Sequence, residues 1–444
     1  MTALDNDTIV APASACGGAI AVVRLSGSEA LPIAGRIFRG RTSLSDARGG
    51  TLHYGHIENG QGGFVDDVLA AVFRAPHSYT GEDCVEISCH GSRYIVSQIV
   101  RLLIEAGARM AGAGEFTSRA FLAGKIDLVQ AEAVADMIAS DSQASLAVAA
   151  TQMRGGYSAV LDAMRENLLK IASLLELELD FSEEDVEFAD RDVLRRMIVE
   201  IKHKVDSLRE TFATGNAIKN GVGVAIVGRP NVGKSTLLNR ILGEQRAMVS
   251  DIAGTTRDAI EETVVLDGVA FRFIDTAGIH ETADVLERMG IERTMQAVRK
   301  ARIVLQMCEP ENPDEPVDVS DDQILIRVVN KTDVSRTRPL EDAVYISAKI
   351  GEGVDVLLGK LRDCVDTRAA LNGEAVVSNL RHYQALCSAS EALDRALEGM
   401  DADMPNDLLS EEIRSVIHFL GEITGRITTD EILGNIFSKF CIGK

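Results

Sequence analysis

Gly228-Arg229-Pro230-Asn231-Val232-Gly233-Lys234-Ser235 lies between the apolar run Val222–Val227 and the helical run Thr236–Leu242. It matches G-x-x-x-x-G-K-[ST], and a strand before with a helix after is the setting that pattern requires. Backbone N–H groups and a helix N-terminus then face a β-phosphate. Lys234 reaches the β and γ oxygens, the Ser235 hydroxyl binds Mg²⁺, and Thr236 continues the cradle. A plain Gly-rich turn also satisfies the pattern, so the other elements decide.

Asp275-Thr276-Ala277-Gly278 follows a strand, offering a carboxylate behind the metal and a Gly N–H for the γ-phosphate. Asn330-Lys331-Thr332-Asp333 follows the apolar run Ile324–Val329, where loops at carboxyl ends of strands form a ligand crevice. The Asp333 carboxylate accepts from guanine N1–H and the exocyclic amine. Adenine lacks donors there, and such a site rejects the wrong base by ~10⁴-fold or more. Ser347-Ala348-Lys349 supplies a backbone N–H for guanine O6. In this order, each after a strand, the elements predict a GTP site.

Between them, Ser250-Asp251-Ile252-Ala253-Gly254-Thr255-Thr256-Arg257-Asp258 reads as a polar loop, with Thr256 as the second hydroxyl ligand of Mg²⁺. Ile279 follows Gly278, so the Gln that orients water in Ras-like enzymes is missing. Asn231, aided by a carbonyl at Ser250 or Ile252, is placed to hold a monovalent cation there.

Around this core, Val222–Val227, Phe271–Ile274, Ile303–Met307, Ile324–Val329 and Val344–Ile346 alternate with helices, which implies a mainly parallel sheet. Glu262–Leu266, the Asp267–Gly268 turn and Val269–Ile274 form one hairpin. Upstream, Ala19–Leu25, Phe64–Phe73 and Cys84–Ser88 read as strands and Tyr94–Ala106 as a helix. From about 125 the period becomes helical, with Leu161, Met164, Leu168, Ile171, Leu175 and Leu179 on one stripe. The acidic piece Asp180–Asp192 joins two long helices or caps the second through Ser182, Glu183 and Glu184. Helices return in Tyr383–Met400, Ser410–Thr424 and Thr428–Phe440, the last opened by a Thr428/Glu431 capping box. The expected architecture is α/β plus α. An N-terminal α/β domain (1–120) precedes a discontinuous helical domain (121–217 and 373–444), into which a P-loop, Ras-like GTPase domain with a mainly parallel sheet (218–372) is inserted.

The 444 residues carry 46 Lys and Arg against 67 Asp and Glu, a net charge of −21, which disfavours a broad DNA-binding surface. Aromatics are 4 % and Trp is absent, so stacking surface for single strands is scarce. No apolar run of ~18 residues and no signal-peptide order occur, which points to a cytoplasmic protein without a membrane span. The seven cysteines, with no C-x-x-C pair, read as reduced thiols. Cys84 and Cys89 read as core, and His53, His56, His77 and His90 lack zinc-ligand spacing. Cys441 is not a prenylation site, because Gly443 is not aliphatic and Lys444 is not an accepted last residue.

The GTPase motifs resemble those of several translation-associated GTPases. Arg24-Leu25-Ser26-Gly27, Pro76–Asp83, Gly114–Phe121, Lys125–Glu132 and the ending Cys441-Ile442-Gly443-Lys444 narrow the likeness to the tRNA modification GTPase MnmE (TrmE) family over essentially the whole chain. The resemblance implies a homodimer whose N-terminal domain binds 5-formyltetrahydrofolate or a related reduced folate. It implies an FAD-containing MnmG partner in a heterotetramer or larger complex, and tRNA as substrate, modified at C5 of the wobble uridine with a carboxymethylaminomethyl or aminomethyl group. It also implies a K⁺-activated GTPase. Asn231, Ser250, Ile252 and Thr255 fall on potassium positions, Ser235 and Thr256 on magnesium positions, and Glu287 on the acid that orients the attacking water. Arg24, Glu82 and Lys125 fall on folate positions, Lys444 is counted with the cofactor contacts, and Cys441 becomes a functional thiol. Ser14-Ala15-Cys16 departs from the family's Pro-Gly turn at the folate-site entrance. Two other classes compete: a regulatory GTP switch in ribosome assembly without nucleotide-modifying chemistry, and a one-carbon transferase with a merely structural G domain. The folate-type blocks and Cys441 speak against the first, and the intact Mg²⁺ and guanine motifs against the second.

Guanine selectivity should reside in Asp333. Asp333→Asn exchanges an acceptor for a group that also donates, so GTP should bind more weakly while xanthosine triphosphate gains. Competition binding that leaves the full GTP preference intact would refute the guanine assignment.

Overall fold

The computed structural model describes residues 7–60, 62–180, 191–246, 262–274, 295–313, 315–321, 323–338 and 340–444. The expected joint at Ser182, Glu183 and Glu184 lies outside them. Two compact units emerge, one of Met1–Ala135 with Gly421–Lys444 and the other of Asp136–Leu420.

In the first unit, β1 (Ile9–Pro12), β2 (Ile20–Ser26), α1 (Ala30–Ile37), β3 (Phe38–Gly40), β4 (Thr51–Glu58), β5 (Phe64–Phe73), β6 (Cys84–His90), α2 (Arg93–Glu105), β7 (Arg109–Met110), α3 (Glu115–Leu122) and α4 (Leu128–Ala139) follow in order. The sheet runs β3-β4-β5-β6-β2-β1-β7. Its pairs are antiparallel except β1 with β7. Alternation sorts the faces: Val85, Ile87 and Cys89 of β6 turn inward with Val23 and Leu25 of β2, against Leu31 and Ala34 of α1 and Ile99 and Leu103 of α2. The opposite face keeps Ile20, Leu52, Tyr54 and Leu69 exposed.

The helix Asp430–Phe437 starts one residue later than the capping box suggested. Thr429 is its cap, its hydroxyl accepting from the Ile432 N–H at 3.3 Å, while the Thr428 hydroxyl donates to the Thr429 carbonyl. Phe437 and Phe440 pack with Leu128 and Ala131, so the last helix shares a core with the N-terminal residues of this unit.

A buried cation ties the unit's N-terminal strand to α3. Arg119, 6 % exposed, pairs with Asp7 at 2.7 Å, Glu115 at 3.0 Å and Glu82 at 3.1 Å. Arg109 braces the same acids from outside, 2.6 Å from Glu115.

The second unit begins with α5 (Gln143–Met153), α6 (Gly156–Asp180), α7 (Arg191–Glu210) and α8 (Phe212–Asn220), then β8 (Val222–Gly228), α9 (Lys234–Arg246), β9 (Glu262–Leu266), β10 (Val269–Phe273), β11 (Ile303–Cys308), β12 (Ile324–Val329) and β13 (Ala343–Tyr345). Its sheet order is β13-β12-β11-β8-β10-β9, parallel throughout except for edge strand β9. β11 is buried at every residue, as a strand covered on both faces must be. α9 buries Leu237, Leu238 and Ile241 in the same core as Phe271 and Phe273. The expected mainly parallel sheet and the expected β9–β10 hairpin are both present. At its turn the Gly268 carbonyl accepts from the Ala144 N–H at 2.9 Å, at the start of α5.

Acid should loosen the first unit. Hydrogen bonds from Arg109, then Arg119, hold the Asp7 carboxyl below the usual aspartate range. Burial alone would raise Glu115, but Arg109, the Gly112 N–H and Arg119 more than offset it. Both carboxyls are more acidic folded than unfolded. Their stabilisation is therefore complete above the unfolded values of about 4 and is lost as pH falls through the folded ones. Melting by circular dichroism should be flat from pH 7 to about 5 and fall below about 4. Arg119→Leu leaves three acids without their shared cation and should cost about 3–5 kcal/mol even at pH 7. A variant that melts like the parent would contradict this role.

Candidate functional site

The second unit gathers its expected ligand loops at the carboxyl ends of β8, β12 and β13, the side where open parallel sheets bind ligands. β8 ends at Gly228, and α9 begins at Lys234. Within the turn Asn231 is exposed with φ +62°, and Gly233 has φ +103°. A Cβ on Gly233 would stand 2.3 Å from Asn330 Nδ2, so a side chain is excluded both by conformation and by space. Lys234 Nζ donates to the Gly228 carbonyl at 2.7 Å and the Arg229 carbonyl at 2.9 Å. Burial pushes its ammonium below the ordinary lysine range.

Asn330 joins the two ends of the site. Its Nδ2 donates to the Val232 carbonyl at 2.8 Å, and its Oδ1 accepts from the Ala348 N–H at 2.9 Å. Asp333 Oδ1 accepts from Ser347 Oγ at 2.7 Å, so the two loops expected to face the base are also linked to each other. Lys331, at φ +67°, pairs with Glu309 at the end of β11. The structure therefore brings together Asn231, Val232, Gly233, Lys234, Ser235 and Thr236 with Asn330, Lys331, Asp333, Ser347, Ala348 and Lys349. Ser250, Asp251, Ile252, Ala253, Gly254, Thr255, Thr256, Asp275, Thr276, Ala277, Gly278 and Glu287 lie outside the described residues.

A second constellation stands in the first unit. Arg24 of β2 pairs with Glu86 across the strands at 2.8 Å. Its guanidinium sits over the Tyr79 ring at 5.3 Å and the Phe116 ring at 5.6 Å. Glu82 accepts from Ser26 Oγ at 2.6 Å and from Arg119 at 3.1 Å. Lys125 Nζ donates to the Pro76 carbonyl at 2.9 Å. Arg24, Glu82 and Lys125 thus converge on one loop, Pro76–Glu82.

The C-terminal tetrapeptide docks beside it. The Phe116 N–H donates to the Lys444 carbonyl at 3.2 Å, and Ile442 makes a bridge with Ala113. Gly443, at φ +100°, approaches so closely that a Cβ would stand 2.0 Å from the Pro12 carbonyl. Cys441 stays exposed. One residue, Phe116, touches both partners: its ring faces Arg24 and its N–H holds Lys444. Tyr79, Phe116 and Arg119 were visible only as parts of quoted blocks. No spacing rule gives an aromatic beneath an arginine or a buried cation behind an acid.

The comparisons with known proteins agree with the motifs. The family model for the MnmE helical domain matches residues 128–441, and that for the GTP-binding protein TrmE N-terminus matches residues 8–125. A tRNA modification GTPase MnmE of Bacteroides fragilis is 49 % identical, covering 99 % of this chain and 100 % of that protein. Another, from Cytophaga hutchinsonii, is 48 % identical, covering 99 % of this chain and 98 % of that protein. A solved structure of Era with MgGDPNP and a 16S ribosomal RNA fragment aligns with 38 % of this chain and 66 % of its own at 30 % identity and a TM-score of 0.25. The fold stands on the strand order above and not on that likeness. With two curated relatives matched nearly end to end, the chain belongs to the tRNA modification GTPase MnmE family.

Proposed function

We propose that the chain is a potassium-activated GTPase that, with an FAD-containing MnmG-like partner, forms 5-carboxymethylaminomethyl (or aminomethyl) uridine at the wobble position of certain tRNAs. Family membership carries the coarser part, a GTPase of tRNA modification. The finer reading is supported above all by the docking of Cys441–Lys444 on Pro12, Ala113 and Phe116, whose ring faces Arg24, with its thiol exposed. A GTP switch in ribosome assembly has no use for an exposed thiol in a C-terminal segment docked on this unit.

On this reading Arg24 and Lys125 meet the carboxylates of a reduced folate such as 5-formyltetrahydrofolate, Glu82 accepts from its pterin N–H groups, and Lys444 closes the site. The donor set suits that ligand, because Glu82 is already aimed by Ser26 and Arg119 while Arg24 is flanked by two rings. The exposed apolar sheet face supports a homodimer: Tyr54 and Leu69 oppose each other across β4 and β5 while 69 % and 40 % exposed. In the second unit, Lys234 and the loop N–H groups hold the phosphates and Asp333 the base. Ser235 and Thr256 hold Mg²⁺, and Asn231, Ser250, Ile252 and Thr255 hold K⁺. When bound, these cations place positive charge on the phosphate oxygens. Glu287 orients the attacking water. Among the described residues no helix is long and apolar enough to cross a membrane. We place the protein in the cytoplasm with its tRNA.

Hydrolysis should depend on potassium. Exchanging K⁺ for Na⁺ at constant ionic strength should slow turnover by roughly tenfold or more, the scale of ~1.4 kcal/mol of lost charge stabilisation. Equal rates in the two salts would rule out the cation.

The tetrapeptide should matter to modification and not to hydrolysis. Gly443→Ala cannot keep its approach to Pro12 and should displace Cys441. Both Gly443→Ala and Cys441→Ser should leave GTP turnover within a few-fold of the parent. Mass spectrometry of wobble nucleosides should find the modified uridine missing in cells that carry either. Normal levels in both strains would make the thiol a bystander.

A further inference from the structure

Guanine recognition needs the carbonyl edge of the base met as firmly as its amine edge. Asp333 serves the amine edge in the reading above. The carbonyl edge falls to the loop Ser347–Lys349, where the Ala348 N–H is already donated to Asn330 Oδ1 at 2.9 Å. The next N–H, that of Lys349, meets no acceptor among the described residues.

Arg240 also holds this loop. It lies on α9 six residues after Lys234, about 9 Å further along the helix axis. Leu237, Leu238 and Ile241 turn into the core, leaving Arg240 half-buried at the rim. Its Nη2 donates to the Lys349 carbonyl at 2.5 Å and its Nε to the Ala348 carbonyl at 3.4 Å. A trans peptide is planar, so the Ala348 carbonyl and the Lys349 N–H point in opposite directions across one rigid unit. A guanidinium that holds the Ala348 carbonyl on one side of this peptide leaves the Lys349 N–H on the opposite side. Within the loop the Ser347 N–H donates to the Glu352 carbonyl and the Gly351 N–H to the Ser347 carbonyl, each at 2.8 Å, and Ser347 Oγ and the Ala348 N–H tie it to Asp333 and Asn330.

We infer that Arg240 is a positioning residue for guanine recognition, aiming the Lys349 N–H at O6 of the base through the two carbonyls it holds. The inference rests on the guanine-site reading of Asp333 and the Ser347–Lys349 loop. One helix thereby serves both ends of the nucleotide, phosphates at its first residue and base edge at its second turn.

Two analogues separate the edges. Inosine triphosphate keeps O6 and lacks the amine. 6-Thio-GTP keeps the amine and N1–H and carries a poor acceptor in place of O6. Competition against a fluorescent GDP analogue should be run on the full chain, its Arg240→Ala form and its Arg240→Lys form. The parent should prefer GTP over both analogues. Arg240→Ala should weaken GTP about three- to tenfold and erase most of the preference over 6-thio-GTP, keep the preference over inosine triphosphate, and leave kcat at saturating GTP within about twofold. Arg240→Lys, which can still reach one carbonyl, should fall between. If both preferences shrink together, or neither changes, Arg240 does not aim the loop. If Arg240→Ala does not fold, an Arg240→Lys form with unaltered preference over 6-thio-GTP would overturn the inference equally. A parent with no preference over inosine triphosphate would instead overturn the underlying guanine reading.

Discussion

The side-chain amide of Asn330 is the constraint on which the proposed nucleotide site depends. It is 3 % exposed, so an unsatisfied donor or acceptor there would cost about 1–3 kcal/mol. Both halves are satisfied by backbone, one in the phosphate loop and one in the base loop. Two segments more than a hundred residues apart are thereby held at a fixed separation by a single planar group. The Gly at position 233 follows from the same amide, since nothing larger fits beside it. On the proposed reading, recognition of phosphate and of base is therefore one geometry and not two sites joined by a ligand.

The first unit uses charge where the second uses an amide. Arg119 is buried among three carboxylates, an arrangement that is tolerable only when every partner is present. It fixes Asp7 just ahead of β1, Glu115 at the start of α3 and Glu82 in the Pro76–Glu82 loop. The tetrapeptide then has a preformed edge to lie against, bounded by Pro12, Ala113 and Phe116.

Much of this was legible in the sequence because it is local. A strand, a Gly-rich turn and a helix, taken with the later motifs in order, announce a phosphate loop, the alternation of apolar strands with helices announces a parallel sheet, and the Asp267–Gly268 turn announces a hairpin. The run Phe64–Phe73 was read to the residue. The short strands β3 and β7, three and two residues long, carry no period to read. The cap at Thr429 was misplaced by one because Thr428 offers the same hydroxyl, and only the direction of its bond decides. Arg240, Glu309 and Phe116 act through partners far along the chain, and nothing in their neighbours signals that. Resemblance placed Arg24, Glu82 and Lys125 together, where composition and spacing had no means to do so.

The β9–β10 hairpin carries one more consequence. Its strands are five residues each, about 17 Å of paired backbone, and its turn is pinned to the first turn of α5 by the Ala144–Gly268 hydrogen bond and to the helix Val354–Asp363 by the Arg362–Asp267 ion pair at 2.9 Å. The open end of the hairpin leads in sequence directly into the Ser250–Asp258 and Asp275–Gly278 stretches. Two paired strands resist bending far better than one, so the hairpin behaves as a beam clamped at its tip. The elements that would feel a displacement at its open end are therefore the ones it meets: β8, paired with β10, and at the tip α5 and the helix Val354–Asp363.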